Sequence, residues 1–214
     1  KASVYANYRL SNNPPGLRQL QAFEDVSDPL NTVIGNPNLE PANGHSFYAG
    51  YNAFDWQKGS GFYGNVNGRF TNNQVVSKTV VDPETLKRTT TYENVDGNYN
   101  YGISGNYTKD IKLDTLRRIK LKLRTRYSYS ERINFNNDVK YASQVQSISP
   151  RLGADFIWDK VMEFKPYYQL SYTINAYDIV AFEDREFTSH TAGLRTATFL
   201  PKNFEWRNDI NFNY

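Results

Sequence analysis

Apolar and polar positions alternate along much of this chain with a period of two. From Ile119 to Ser130 every odd position is apolar or aromatic except Thr125, and every even position is Lys, Arg or Ser. Wound as a helix, this stretch would scatter its cations all round the cylinder; as a strand it sorts them onto one face. Two other segments repeat the pattern. Phe164, Pro166, Tyr168, Leu170, Tyr172 and Ile174 oppose Lys165, Gln169, Ser171, Thr173 and Asn175, and Phe204, Trp206, Ile210, Phe212 and Tyr214 oppose Glu205, Arg207, Asp209, Asn211 and Asn213. Weaker versions occur around Val4–Leu10, Phe47–Ala53, Phe62–Phe70, Tyr99–Tyr107 and Ile148–Trp158, and the least regular runs from His190 to Phe199. Together they predict nine strands. Several are roughly 10 to 14 residues long, where soluble proteins average about 5 or 6.

The predicted connections alternate in length. Residues 11–43 form a long irregular loop holding five of the nine Pro, and Gln57-Lys58-Gly59-Ser60 is a tight turn. Residues 73–96 are long again, Thr108–Thr115 shorter, and 131–138 an intermediate polar loop. Asp159-Lys160-Val161 is short, 178–186 longer and acidic, and Pro201-Lys202 the shortest. In an antiparallel meander every second connection falls on the same rim, so most long loops crowd one end.

Composition agrees with this reading. The 214 residues include 17 Tyr, 13 Phe and 24 Asn, and mean hydropathy is −0.70. Disordered chains lack such aromatics, and helical ones lean on Ala, Leu, Glu and Lys. No stretch approaches the length of an apolar membrane helix. Without Cys there is no disulfide, thiolate metal site or cysteine nucleophile. His45 and His190 are too few for most histidine metal motifs. A net charge of +3 gives no argument for nucleic acid.

Alternation alone fits two all-β architectures. In a soluble sandwich or lipocalin-like barrel the apolar face points inward; in a transmembrane barrel it points to lipid. Long strands, unequal rims and aromatic-rich apolar faces favour the second. A bilayer admits strands only as a closed barrel, and a charge near its midplane on the lipid face costs about 2–4 kcal/mol. Lys120, Lys122, Arg124 and Arg126 therefore face a wet lumen, while Ile119, Leu121, Leu123 and Tyr127 face lipid. The predicted fold is an antiparallel, up-and-down transmembrane β-barrel, present as a segment of about nine strands over residues 1–214, with 11–43 as a long external loop. Pro150 and Pro166 each remove a ladder donor, so they are expected near strand ends or at bulges.

The first loop contains Gly35-Asn36-Pro37-Asn38-Leu39-Glu40-Pro41, preceded by Pro14-Pro15-Gly16-Leu17-Arg18-Gln19-Leu20 and Asp28-Pro29-Leu30-Asn31. This order resembles the barrel of TonB-dependent outer-membrane receptors, closest to the Bacteroidetes-type outer-membrane β-barrel group. There a similar stretch lies on an external loop before a downward strand; Ala42 replaces the usual Glu after the second Pro. Asn94-Val95-Asp96-Gly97-Asn98-Tyr99 is similar to the start of another family strand. The resemblance implies import of a nutrient, such as a siderophore or glycan, across the bacterial outer membrane. It also implies a plug domain, the TonB energy-coupling complex, a small ligand and the lipid bilayer as partners, and no cofactor. An odd strand count, with no plug, signal peptide or TonB box in the chain, reads as an internal piece of a larger barrel. A plug-less porin and a soluble β-rich binding module are the alternatives.

Several residues carry candidate chemistry. Arg69, Arg124, Arg126 and Arg151 share the lumen parity, where they would meet an anionic ligand, a plug or one another. In the Gly35–Pro41 motif, Gly suits a positive φ, Asn caps locally and the two Pro stiffen the backbone, which shapes a loop with or without a ligand. His190 and Ser189, with Glu183, Asp184 and Glu186 nearby, lack the spacing of a hydrolytic triad, so no catalytic residues and no enzymatic activity are expected. The run from Glu183 to Glu186 reads as a solvated loop before a Ca²⁺ site. Tyr5, Tyr8, Tyr127 and Tyr129 are expected in an interfacial aromatic girdle rather than a carbohydrate-stacking site.

Overall fold

A computed structural model of the chain describes residues 1–25 and 28–214, so residues 26 and 27 of the predicted first loop lie outside the described residues. Strands take 74% of the chain and helix 3%, which bears out the all-β reading. In chain order the elements are β1 (Ala2–Asn13), α1 (Leu17–Leu20), β2 (Glu24–Asp25), β3 (Asn31–Ile34), β4 (Ala42–Asp55), β5 (Ser60–Asn72), β6 (Gln74–Val81), β7 (Arg88–Val95) and β8 (Asn98–Lys112). They continue with β9 (Arg117–Asn136), β10 (Val139–Ile148), β11 (Arg151–Trp158), β12 (Met162–Tyr177), β13 (Arg185–Leu200) and β14 (Phe204–Asn213).

The main sheet is antiparallel and ten-stranded, in the order β1-β4-β5-β8-β9-β10-β12-β13-β14, with β11 also between β9 and β12. The strands β10 and β11 are two halves of one stave. Ile148 opposes Tyr127 and Arg151 opposes Arg124, so the register on β9 passes through Pro150 unbroken. Counted this way the wall has the nine staves that the alternation predicts. Among the described residues, no pairing joins β1 to β14.

Pro150 falls where expected, in the break between β10 and β11, whereas Pro166 lies inside β12, against the expectation of a strand end or bulge. Pro150 lacks a donor but still accepts Leu170 N–H at 3.0 Å. Pro166 opposes Leu194 on β13, and between β11 and β12 the pairing steps from Gly153↔Tyr167 to Phe156↔Phe164 across the gap it leaves. An antiparallel ladder tolerates a missing donor when the flanking bonds hold the register.

Other corrections concern the loops. The predicted loop 131–138 is a two-residue turn, Asn137 and Asp138, both at positive φ, because β9 runs on to Asn136 and β10 starts at Val139. Likewise β8 runs on to Lys112, which shortens the predicted Thr108–Thr115 connection. At about 3.4 Å per residue β9 is roughly 65–70 Å long, whereas crossing a bilayer takes about 9–11 residues, so it stands well clear of the membrane. Residues 11–43 and 73–96 are also not irregular. They build a second, four-stranded sheet in the order β2-β3-β7-β6, with β3 parallel to β7.

There is no core of large side chains among the described residues. Among the described residues the buried hydrophobics are Leu39, Ala42, Val95, Ala142 and Ala197. The greasy rows lie open: Phe62, Val66 and Phe70 are about 40% exposed, as are Leu121 and Leu123. On β5 the opposite row of Tyr63, Asn65 and Asn67 is half-buried, so the wall curves with its polar face inward. A water-soluble sandwich would bury the aromatic rows. This wall presents them outward, as a lipid-facing barrel does.

Candidate functional site

Cross-strand register decides which lumen residues meet. Arg124 on β9 lies directly opposite Arg151 on β11, and both line one cavity of about 240 Å³ with Asn106, Lys122, Asp155, Lys165, Tyr167 and Arg195. Arg126 is two residues further up β9, and its carbonyl accepts Ser149 N–H at 2.8 Å. Arg69 is apart from this group. It sits between Ser46 and Asn100, with its guanidinium over Gly44, where a Cβ would lie 3.0 Å from it.

Most charges on this part of the wall are paired. Lys122 Nζ is 2.5 Å from Asp155, whose side chain is largely buried, Lys165 contacts Glu163, and Arg195 Nε donates to Asp209 at 3.0 Å. Arg207 makes two bonds to Glu205, at 2.7 and 3.0 Å. Among the described residues no carboxylate pairs with Arg124, Arg126 or Arg151. Arg151 instead lies over the Tyr167 ring, 3.8 Å from its centroid. That ring lies flat because Gly193 is beneath it; a Cβ there would come within 2.3 Å of ring carbons. Sequence parity put Lys165 on the lumen side. It could not tell that β12 and β13 bring Lys165, Tyr167 and Arg195 to one cavity with Arg124 and Arg151, since register is a property of pairs.

On β1, β4 and β5 the lumen wall is mostly neutral, with Arg9 and Arg69 as its cations. Tyr48 and Tyr63 hydroxyls are 2.7 Å apart, Tyr5 lies 3.2 and 3.1 Å from them, and Asn65 donates to Tyr63 at 3.2 Å. Tyr5 is therefore not in an outward girdle: it opposes Gly50, and the missing Cβ gives its ring room on the lumen face. Tyr8, Tyr127 and Tyr129 do face outward, with Tyr129 stacked against Tyr99 and Tyr101 at 5.6 and 5.3 Å.

The Gly35–Pro41 motif and the Asn94–Tyr99 segment meet each other. Asn94 Oδ1 accepts Glu40 N–H at 2.8 Å, and its Nδ2 donates to Glu40 O at 2.9 Å and Asn73 O at 2.7 Å. Asn73 Nδ2 returns a bond to Glu40 at 2.8 Å. Asn36 donates to Tyr92 O at 3.0 Å and caps Asn38 N–H at 3.0 Å, the predicted local role. Leu39 and Val95 bury the join. Gly35 is not at positive φ, contrary to expectation; it lies so close to Gln21 that a Cβ would be 2.3 Å from the Gln21 carbonyl oxygen. Pro37 and Pro41 bracket the turn. The hairpin of β6 and β7 also leans on the turn after β9: Lys78 contacts Asp138 and lies 3.8 Å from Glu93. The Asp138 carboxylate raises the Lys78 pKa above its usual value.

His190 points outward, its Nδ1 2.6 Å from the Tyr168 hydroxyl, while Ser189, one residue before it in β13, takes the opposite face. The two cannot act together. In the acidic run, Asp184 accepts Tyr177 N–H at 2.9 Å and Glu186 accepts the Tyr172 hydroxyl at 2.7 Å. Among the described residues no group of three or more His, Asp or Glu is placed to hold a metal ion.

No curated protein matches the chain. The profile of the outer membrane protein beta-barrel family matches residues 1–214. With an antiparallel wall, an outward aromatic face and an inward charged one, the chain belongs to that family, and its location is the outer membrane.

Proposed function

We propose that the chain supplies a sector of the wall of an outer-membrane barrel that passes small polar solutes through a water-lined lumen. The observation that carries this is the parity of β9, where all four cations between residues 119 and 130 share one face and the lipid-type residues the other. The unpaired outer edges of β1 and β14 would cost several kcal/mol per backbone group in hydrocarbon, so further strands close the wall. Absence of Cys makes the test direct. Leu121→Cys and Lys122→Cys, each labelled with an environment-sensitive dye in liposomes, should separate: the first quenched by brominated lipid, the second by aqueous iodide. Flux is then read as swelling of liposomes in sugars of graded size. Equal quenching at both positions would refute the wall.

A second reading is energised import through a TonB-dependent receptor. The residues that carry that resemblance, Gly35–Pro41 and Asn94–Tyr99, support it by forming one clasp at the outer rim. An upstream plug domain in the full reading frame would select it over open diffusion.

A further inference from the structure

We propose that the lumen wall between β9 and β12 carries a subsite for a tetrahedral oxyanion, such as the phosphate group of a small solute, formed by Arg124, Arg151 and Lys122. This deepens the solute-passing reading and rests on it. Arg124 and Arg151 are directly opposed across antiparallel strands on the same face, which puts their Cβ atoms about 5 Å apart, an arrangement that destabilises a sheet when the charges are alike. Elsewhere around the cavity each cation has an acid: Lys122 has Asp155, Lys165 has Glu163 and Arg195 has Asp209. Among the described residues these two arginines have none. The like pair therefore stands where an anion would turn repulsion into a two-sided clamp.

The geometry also suits such a ligand. Arg151 is held flat over Tyr167, so a planar guanidinium fork is positioned before any anion arrives, and less freedom is lost on binding. Lys122 and Asn106 line the same cavity and add donors. Its volume of about 240 Å³ accommodates a phosphate with part of its attached solute. Arg126, next up the same face of β9, extends the positive field toward the outer rim.

The test uses the full chain in a maltoside detergent free of phosphate, with folding monitored by heat-modifiable gel mobility and thermal unfolding. Inorganic phosphate should raise the melting temperature of the wild type by a few degrees, beyond chloride at equal ionic strength. Arg124→Gln and Arg151→Gln should weaken phosphate binding by about tenfold or more and, without phosphate, melt at or above the wild type. Arg207→Gln, outside this cavity, should keep the response. An equal effect of chloride, or a full response in both glutamine variants, would overturn the subsite. A shift from anionic phospholipid but not from phosphate would overturn it too, by assigning the chemistry to a headgroup. Should both variants fail to fold, the wild-type contrast of phosphate with chloride still decides. The cysteine labelling above reads the wall independently: reversed quenching removes the lumen itself, whereas normal quenching with no phosphate response removes only the subsite.

Discussion

The two halves of the lumen wall solve one problem in different ways. From β1 to β8 the inward residues are mostly neutral, and Tyr5, Tyr48, Tyr63 and Asn65 satisfy one another through hydroxyls and an amide. From β9 to β14 the inward face carries most of the wall's charge, and much of it is paired as ions. Neutral hydroxyl networks saturate themselves, since each hydroxyl both donates and accepts. Cations only donate, so a charged wall is satisfied by matching acids or by something in the lumen. The outward face makes no such distinction: Phe62 and Val66 in one half and Leu121 and Leu123 in the other are equally bare.

The largest expected effect tests that shared outer face. Val66→Arg in the neutral half and Leu121→Arg in the charged half should each cost about 2–4 kcal/mol in urea unfolding from vesicles. Arg126→Leu, on the other parity, should leave insertion unchanged. A difference between the two arginine variants would mean that only one half touches lipid. Next come the glycines under rings. Gly50→Ala in the neutral half and Gly193→Ala in the charged half each drive a methyl into a tyrosine ring, at a cost of about 1–3 kcal/mol. At Gly105, whose nearest neighbours lie at 3.9 Å, the same change should be close to silent. Tyr48→Phe removes the hydroxyl that bridges the cluster and should cost about 1 kcal/mol, with no salt dependence. Lys122→Met should instead cost less at high salt, where the stranded Asp155 charge is screened.

The smallest effect lies outside the wall and is read by pH. Backbone N–H groups of Thr85 and Glu84 hold the Asp82 carboxyl below the usual aspartate range, and the Asn31 side chain and Leu30 N–H do the same for Asp28. A depressed folded pKa stabilises above the unfolded value, and that contribution is lost as pH falls through the folded one. Amide protection in the outer sheet, relative to intrinsic exchange at each pH, should therefore fall on acidification below the aspartate range, while the neutral half of the wall stays protected.

Nine staves, two faces and unequal rims were legible because each strand carries its own period and each turn its own residues. The outer sheet was not, although it had a signal. Val75, Val76, Thr79, Val80 and Val81, then Thr89, Thr90 and Thr91, flank Asp82-Pro83-Glu84 as a β-branched hairpin. Long connections next to barrel strands masked that cue. The grouping of Arg124 with Arg151, and the isolation of Arg69, depend on stagger between strands far apart in sequence, which no single-strand pattern encodes. The placement of Tyr5 failed for another reason: aromatic character does not choose a face, strand parity does, and Tyr5 has the parity opposite to Val4, Ala6 and Tyr8.

The interior prolines have a mechanical consequence. Pro150 faces Leu170 on β12, and Pro166 falls opposite Ala154 on β11, so both absent donors belong to one seam, beside the arginine pair. Over that length the two staves lack two ladder donors, which favours local opening along this seam. A crease of this kind gives an otherwise rigid cylinder a line along which its bore can breathe.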